Sequence, residues 1–250
     1  MFSGKRLTIT TSWDDGHPLD MRVAEVLSKH RLRGTFYVPL HNLRPTMSPA
    51  QIRELSASFE IGAHTVNHVR LRGLAESQAQ REVADSKKQL EDILGKPCSI
   101  FCFPGGSYSK IHFRMLRDAG FVAARTVELL SLERPRIIDE ITVIPTTIQA
   151  YPHGAGSYLR NAAKRFSVDA GWNLLRGGRT KSWPAFAAVL LKRAADIGGV
   201  FHLWGHSWEI EEMDQWGALN QALTSMSEYA RTAPCITNSE LCALQQPVCP

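Results

Sequence analysis

Short hydrophobic runs alternate along the chain with longer stretches in which apolar residues recur every three or four positions. The first run, residues 7–13, is rich in β-branched residues and predicts a strand. Residues 19–30 follow, with apolar residues such as Val23 and Leu27 at helical spacing. Later patterns predict strands at 35–38, 59–64, 99–103, 121–124, 141–144 and 199–204, and helices at 75–94, 111–119, 158–166, 184–197 and 215–231.

Two helix boundaries carry local signals. Ser48, Pro49 and Gln51 predict a helix start, because serine caps, proline fits the first helical position and glutamine completes a capping box. Gly95, followed by Pro97, predicts the end of the long helix at 75–94. Between about residues 128 and 178 the pattern is harder to interpret.

Regular alternation of strands and helices is typical of a parallel sheet covered by helices. The chain has 250 residues, a length that suits one barrel of alternating strands and helices. No low-complexity linker and no repeat divides it. The sequence therefore predicts a single α/β domain over residues 1–250, with a closed or nearly closed barrel. In such barrels the reactive residues lie at the carboxyl ends of the strands.

Composition and charge limit the possible functions. Apolar residues make up 44% of the chain and charged residues 21%, as in ordinary globular proteins. The net charge is +5, but the basic residues are scattered and no recognised nucleic-acid-binding motif accompanies them. We expect a solvated basic surface with no nucleic-acid partner and a mild attraction for anionic substrates. No stretch approaches 18 consecutive apolar residues, so no membrane span is expected.

The N-terminal residues and the cysteines bear on the cellular compartment. Residues 1–6 precede the first strand without an apolar stretch of signal-peptide length. The five cysteines form no Cys-x-x-Cys pair, and the spacing of Cys235, Cys242 and Cys249 is unlike that of zinc ligands. We therefore expect reduced thiols and a cytoplasmic protein, and a disulfide within the C-terminal tail is the alternative.

Residues capable of chemistry lie at the ends of four predicted strands. They are Asp14 and Asp15 after the first strand, His64 and His68 after the third, Pro104, Gly105 and Gly106 after the fourth, and His206 after the last. Because the carboxyl ends of parallel strands meet at one face of a barrel, we expect these residues to converge.

His64 and His68 are four residues apart, so on one helical turn both imidazoles could reach a single metal ion. The carboxylate of Asp15 would complete a two-histidine, one-carboxylate site with open positions for water and substrate. A cation would also relieve the repulsion between Asp14 and Asp15 and leave one of them free as a base. The alternatives are a chance histidine pair and a solvated Asp-Asp-Gly turn.

Four segments resemble the motifs of the polysaccharide deacetylase family, carbohydrate esterase family 4. They are residues 12–16 (SWDDG), 64–68 (HTVNH), 103–106 (FPGG) and 203–206 (LWGH). Their order and spacing match from about residue 7 to residue 210, and the first two motifs are the most specific. The resemblance implies a distorted (β/α)7-type barrel of the TIM kind.

The resemblance also implies roles for individual residues. Asp15, His64 and His68 would bind a divalent metal, expected to be zinc. Asp14 would be the general base and His206 the general acid.

Further residues are expected around these five. A backbone N–H near Gly105 would help to hold the oxyanion, with Gly106 beside it on the substrate side. Thr65 would orient the segment that carries the histidines by hydrogen bonding. Trp208 is the best candidate for stacking on a sugar ring, ahead of Trp204 and Trp172, although a core role is equally plausible for each tryptophan.

The chain departs from the family pattern at two places. The third motif usually begins with an arginine that pairs with the base aspartate, and Cys102 stands there instead. Arg125, at the end of the next strand, could supply the guanidinium, with a surface ion pair as the alternative. The fourth motif, an Asp-Trp pair, is not recognisable near residue 128. His202 is a second candidate for the acid, but His206 is the better one because it lies at the strand end.

The resemblance implies hydrolysis of an N-acyl group, chiefly acetyl, from a carbohydrate, with an O-acyl group as the alternative. The absence of a leader favours an intermediate of surface-polysaccharide synthesis as the substrate. One alternative is a deformylase or another non-peptide amide hydrolase with the same mechanism, and another is a non-catalytic sugar-binding relative. A two-histidine, one-carboxylate iron oxygenase is also considered, although such sites usually lie on an antiparallel double sheet.

Overall fold

The computed structural model describes residues 6–153 and 182–244, together with Gly171. Strands and helices alternate from residue 8 to residue 125, as the sequence predicts. Four strands then follow one another between residues 123 and 149, and three helices follow the last strand. The strands are β1 (Thr8–Asp14), β2 (Thr35–Val38), β3 (Glu60–Ala63), β4 (Ile100–Cys102), β5 (Ala123–Arg125), β6 (Arg136–Ile138), β7 (Ile141–Ile144), β8 (Ile148–Gln149) and β9 (Val200–His206). The helices are α1 (Asp20–Lys29), α2 (Pro49–Leu55), α3 (Glu76–Leu94), α4 (Lys110–Asp118), α5 (Trp183–Ile197), α6 (Ser207–Glu212), α7 (Trp216–Tyr229) and α8 (Asn238–Ala243), and a 3₁₀ turn lies at Pro104–Gly106.

The strands form one sheet in the order β6-β7-β5-β4-β3-β2-β1-β9-β8. All neighbours pair in parallel except β6 and β7, which form an antiparallel hairpin. The sheet curls into a barrel. Within the described ranges no pairing joins the edge strands β6 and β8, so the barrel stays open on one side. The predicted α/β fold with a distorted barrel is confirmed. That residues 1–250 form a single domain stays a prediction.

The buried face of α3 shows why the helices cover this sheet. Ala79, Val83, Ser86 and Leu90 recur every three or four residues, and all four are buried. The helix ends at Gly95, whose φ of 65° is a left-handed conformation that glycine adopts without strain. The periodicity and the stop signal thus agree with the boundary predicted from sequence.

Short elements are the ones that the sequence patterns miss. At the start of α2, Ser48 and Gln51 form the predicted capping box, with Pro49 in the first turn. By contrast β6, β8, α6 and α8 contain two to six residues each, which is too short to display a period. The helix predicted at 158–166 and Trp172 lie outside the described residues.

Strand register places polar residues at the carboxyl edge of the sheet. Asp14, the last residue of β1, is in register with His206, the last residue of β9. Cys102 at the end of β4 is in register with Arg125 at the end of β5. Because register partners on parallel strands point to the same face of a sheet, Cys102 and Arg125 lie side by side.

Two further properties concern membranes and thiols. None of the helices in the described part of the chain is both long and apolar enough to cross a bilayer. Cys98, Cys102, Cys235 and Cys242 are free thiols. Cys249 lies outside the described residues, and the cytoplasmic location stays a prediction.

Candidate active site

A cavity of about 230 Å³ opens at the carboxyl edge of the sheet. Nine of the residues singled out from the sequence line it: Asp14, Asp15, His64, His68, Pro104, Gly105, Trp204, His206 and Trp208. Arg70 and Val127 complete the lining. The parallel strands therefore bring together at one face residues that are far apart in the chain.

Three atoms that could hold a metal converge in this cavity. Asp15 Oδ1 lies 2.9 Å from Nε2 of His68 and 3.6 Å from Nε2 of His64, and the three ligand atoms all lie within 4.8 Å of one another. Asp15 Oδ1 is buried, yet it has no aligned hydrogen-bond donor among the residues described. Nδ1 of His64 donates to the carbonyl of Cys102 (2.8 Å), which turns Nε2 towards Asp15. One carboxylate oxygen and two imidazole nitrogens in this arrangement fit a divalent cation.

Residues 64–70, here called the histidine loop, are tied to α3. The carboxylate of Glu82 accepts hydrogen bonds from the backbone N–H groups of Val66 (2.9 Å) and Asn67 (3.0 Å), and from the side-chain amide of Asn67 (2.6 Å). A single buried carboxylate thus fixes the middle of the loop, and the two histidines flank this fixed point.

The backbone of the site is strained where it presents the candidate ligands. Asp15, Thr65 and His68 have φ values of 79°, 63° and 51°. Such left-handed conformations cost about 1–3 kcal/mol in residues other than glycine and persist only where the surroundings impose them. Thr65 Oγ1 accepts a hydrogen bond from the N–H of Val69 (3.2 Å), which closes the histidine loop on itself.

Asp15 is ionised in these surroundings. Burial raises its pKa, but contacts with His64 and His68 outweigh burial and hold the pKa of Asp15 well below its usual range. Its second oxygen, Oδ2, accepts a hydrogen bond from Nε1 of Trp208 (2.9 Å). That bond leaves Oδ1 to face the two imidazoles.

Asp14, although adjacent to Asp15, has a different partner. Nη2 of the fully buried Arg125 donates to Oδ1 of Asp14. Burial lowers the pKa of Arg125, but the charge of Asp14 raises it above its ordinary value, so the guanidinium stays charged. The structure therefore places Arg125 against Asp14 in the interior and not in a surface ion pair.

Cys102 lies close to the same carboxylate. Its Sγ is 3.8 Å from Oδ2 of Asp14, within reach of a weak S–H hydrogen bond. Burial raises the pKa of Cys102 well above its ordinary value, so the group remains a thiol. Asp14, His64 and Cys102 also cluster closely enough to suggest a metal. A protonated thiol is a poor ligand and Asp14 is already paired with Arg125, so Asp15, His64 and His68 are the better set.

His206 is held by a carboxylate at the start of α6. Its Nδ1 lies 2.6 Å from Oε2 of Glu209, and the same oxygen accepts from Nε2 of Gln149 (2.7 Å). Burial lowers the pKa of His206, but the hydrogen bond to Glu209 and the negative charges of Asp15, Glu209 and Asp14 raise it above its ordinary value. His206 can therefore act as a proton donor at the cavity.

The two glycines of the 3₁₀ turn have different environments. Gly105 lines the cavity and has a φ of 61°. Gly106, which the sequence analysis places beside it on the substrate side, is not part of the lining. Its N–H donates to the carbonyl of Phe103 (2.9 Å), and a Cβ there would lie 2.0 Å from Cγ2 of Val127. Only Gly105 is placed to contact a ligand, because Gly106 is already bonded and closely packed.

Trp208 lines the cavity, but much of its ring is already engaged. Besides the hydrogen bond to Asp15, its ring carries the guanidinium of Arg44, 3.5 Å above the centroid. Arg44 is itself paired with Glu212 (2.6 Å). Because Arg44 covers one face, a sugar could stack only on the other, and the clearest contact of Trp208 is the one that orients Asp15.

His202, the second candidate for the acid, lies in the core. Its Nε2 is 2.8 Å from Oγ of Ser12, and its Nδ1 is 3.0 Å from the carbonyl of Pro145. Burial lowers the pKa of His202 to about 3, so the imidazole is neutral. His202 is absent from the cavity lining, and of the two candidates for the acid only His206 lies at the cavity.

Three carboxyl groups near the site escape prediction from sequence: Glu82 and Asp20, which are buried, and Glu209, which is half-buried. Asp20, the first residue of α1, is fully buried, and burial raises its pKa well above its ordinary value. The spacing of Glu209 could have predicted its contact with His206, because it follows His206 by three residues where a helix begins. Glu82 and Asp20 look like ordinary helix-surface residues until the tertiary structure shows what covers them.

Comparison with known sequences identifies a family over the first half of the chain. Residues 3–124 match the family model described as polysaccharide deacetylase. A peptidoglycan-N-acetylglucosamine deacetylase of Bacillus cereus is 26% identical over 116 residues, or 45% of this chain and 53% of that protein. A peptidoglycan-N-acetylmuramic acid deacetylase of Bacillus subtilis is 28% identical over 121 residues, or 47% of this chain and 45% of that protein. The match thus spans about half the length of these curated relatives.

Solved structures share the fold over nearly the whole chain. A Mycobacterium smegmatis protein named as a candidate polysaccharide deacetylase superposes with a TM-score of 0.70 at 18% identity, covering 98% of this chain and 91% of that one. An allantoinase superposes with a TM-score of 0.68 at 13% identity, covering 97% and 91%. At these identities the likeness establishes the fold alone, and the function has to be argued from the site.

Proposed function

We propose that this chain, whose residues 3–124 belong to the polysaccharide deacetylase family, is a metal-dependent hydrolase that removes an N-acetyl group from a carbohydrate. One observation carries the proposal. The ligand atoms of Asp15, His64 and His68 converge in a cavity that also holds a separately paired carboxylate, Asp14. This combination provides a metal site and a base side by side, which hydrolysis of an amide requires.

Asp15, His64 and His68 would hold the metal, and zinc is the expected ion because imidazole and carboxylate ligands suit it. A bound divalent ion would polarise the acyl carbonyl and lower the pKa of water. Trp208 would keep Asp15 oriented through its indole N–H. Such outer partners fix the geometry of a ligand, and their loss typically weakens a metal site about 10–100-fold.

The chain's own residues would move two protons. Asp14, positioned by Arg125, accepts a proton from the attacking water while the new C–O bond forms. His206, positioned by Glu209, donates a proton to the nitrogen as the C–N bond breaks. The products are acetate and the free amine. Gly105 lies at the cavity wall, where its backbone N–H is the candidate donor to the oxyanion.

We propose an intermediate of surface-polysaccharide synthesis as the substrate. The two curated relatives are named for removing acetyl groups from the amino sugars of peptidoglycan. A screen of free, nucleotide-linked and lipid-linked acetamido sugars would identify the form that this chain accepts.

Metal removal tests the proposal. We expect the zinc-loaded protein to release acetate from N-acetylhexosamine substrates, to lose this activity on chelation and to regain it with zinc. Asp15→Asn should lower both zinc content and activity by more than about 10²-fold, because a direct ligand matters more than an outer partner. Asp196→Asn, which changes an exposed aspartate on α5, is the matched control.

Three results would contradict the proposal in different ways. Binding of acetamido sugars without turnover would indicate a non-catalytic sugar-binding protein. Formate release, or ring opening of allantoin, would indicate another amide hydrolase with the same mechanism. Full activity of Asp15→Asn after exhaustive chelation would exclude the metal site itself.

Replacing Glu209 by glutamine is expected to move the alkaline limb of the kcat/KM profile to lower pH. An acid acts only while protonated, so activity is present below the pKa of His206 and is lost as pH rises through it. Glu209 raises that pKa, and its removal lowers it. At alkaline pH, activity should lose part of the roughly 10²–10⁴-fold that acid catalysis supplies. The pH profile of acetate release measures the shift.

A control separates this effect from the general loss of a negative charge on α6. Glu211→Gln removes an exposed carboxylate on the same helix as Glu209, and this carboxylate pairs with Arg22 of α1 (3.1 Å). Its pH profile should match that of the unaltered protein. An unchanged alkaline limb in Glu209→Gln would mean that His206 is not the acid or that Glu209 does not set its pKa.

A further inference from the structure

Arg70 is a cation at the cavity that the proposed mechanism does not use. It ends the histidine loop, two residues after His68, and its side chain lines the cavity. Arg70 is exposed, so its charge lies towards the solvent side of the site. No other lysine or arginine of the described residues lines the cavity. Among the described residues, Arg70 therefore supplies the one guanidinium of the lining, since Arg125, which pairs with Asp14, is buried and is not part of the lining.

The chain holds Arg70 in place from two sides. On one side, the histidine loop is pinned to α3 by the hydrogen bonds of Glu82. On the other, the guanidinium lies against the backbone of Gly105. A Cβ on Gly105 would lie 2.8 Å from Nε of Arg70 and 3.4 Å from its Cζ. Glycine at position 105 thus leaves the space that the guanidinium occupies.

The charge of Arg70 has no counter-charge in the part of the chain that the structure describes. No carboxylate there forms an ion pair with it. The acidic groups at the site have other partners: Asp14 pairs with Arg125, Asp15 with His68, and Glu209 with His206. Arg44 on Trp208 differs from Arg70, because it is neutralised by Glu212.

We infer that Arg70 binds an anionic group of the substrate, so that the cavity prefers acetamido sugars that carry a carboxylate or a phosphate. This inference rests on the proposed function and names its substrate class. A guanidinium presents paired N–H donors that match two oxygens of either anion. Because the neighbouring carboxylates are engaged, the substrate is the remaining source of a matching charge.

The test compares substrates that differ by one anionic group. The probes are N-acetylglucosamine, N-acetylmuramic acid, which adds a carboxylate to the same sugar, and N-acetylglucosamine 6-phosphate. We expect the unaltered protein to have a higher kcat/KM for one or both acidic sugars than for the neutral sugar. Arg70→Gln should reduce this preference about tenfold, as expected for one charge-assisted interaction. High salt should also reduce it, because an exposed charge is screened.

Arg72→Gln is the matched control, since Arg72 is exposed in the following segment and does not line the cavity. It should keep the preference of the unaltered protein. The inference would be overturned if Arg70→Gln lowered kcat/KM equally for the acidic and the neutral sugars, or if it left the preference unchanged. Either result would leave the proposed function intact.

A binding measurement separates failure of this inference from failure of the proposed function. If no probe releases acetate, the proposed function fails, and calorimetric binding of N-acetylmuramic acid and N-acetylglucosamine 6-phosphate then decides the role of Arg70. Salt-sensitive binding that weakens about tenfold in Arg70→Gln supports anion recognition. Equal binding by the two proteins, or no binding by either, overturns it.

Discussion

Asp14→Asn is expected to lower kcat/KM for acetate release about 10³-fold, within the range that removal of a general base produces. Asparagine keeps an oxygen that can accept the hydrogen bond from Arg125, but it cannot accept a proton from water. The carboxylate of Asp15 and the two imidazoles are unaltered, so zinc content should stay the same. Steady-state kinetics with metal analysis of the same samples would measure both effects.

The controls for this prediction have to separate chemistry from folding. Asp14 is buried and neutralises Arg125, so Asp14→Asn also leaves a guanidinium without its counter-charge. Unfolding curves should therefore confirm that the variant is folded at the assay temperature. Activity within a few-fold of the unaltered protein would assign the base to another residue. Loss of zinc with retained folding would mean that Asp14, and not Asp15 alone, holds the metal.

The convergence of the site follows from sequence because parallel strands end at one face. Asp14 and His206 could be placed together without coordinates, since each follows a predicted strand, and in the structure the two are in register. His64 and His68 needed only the spacing between them and their position after β3. These inferences use local patterns and one rule of topology, and this is why they extend to residues at opposite ends of the chain.

The contacts that hold the site could not be derived in this way. Trp208 is recognisable as an aromatic residue near a strand end, but its bond to Asp15 depends on how α6 packs against β1. Gly106 looks equivalent to Gly105 in sequence, and only the conformation of the turn assigns its N–H to Phe103. Such contacts depend on how helices and strands pack against one another, and the spacing of apolar residues in the sequence does not predict this packing.

Cys102 stands where the family motif usually has an arginine, and the role of Arg125 in its place could be predicted only in part. The sequence shows that Cys102 lacks the expected charge and that Arg125 ends the next strand. It does not show that β4 and β5 are adjacent and that the two residues are in register. The strand register explains how Arg125 can take the place of an arginine at position 102. The side chains of Cys102 and Arg125 lie on the same face of the sheet and approach the same carboxylate, Asp14.

Arg125→Met is expected to destabilise the protein by about 3–5 kcal/mol, as typically follows when one partner of a buried ion pair is removed. Arg125 is fully buried, and its loss leaves the charge of Asp14 without its guanidinium. Methionine has a similar length, so the packing that is lost is small compared with the lost charge. Urea unfolding of the metal-free protein would measure the change in the free energy of unfolding.

A double-mutant cycle makes this prediction specific to the ion pair. Asp14→Asn combined with Arg125→Met removes both charges, so the double variant should be more stable than the sum of the single effects predicts. Lys192→Met breaks an exposed pair with Asp196 and should cost only about 0–1 kcal/mol. Additive effects in the cycle would show that Arg125 contributes packing alone, and then Asp14 would need another group to keep it oriented. A strong coupling would mean instead that the base is held by an arginine from β5, which compensates for the cysteine on β4.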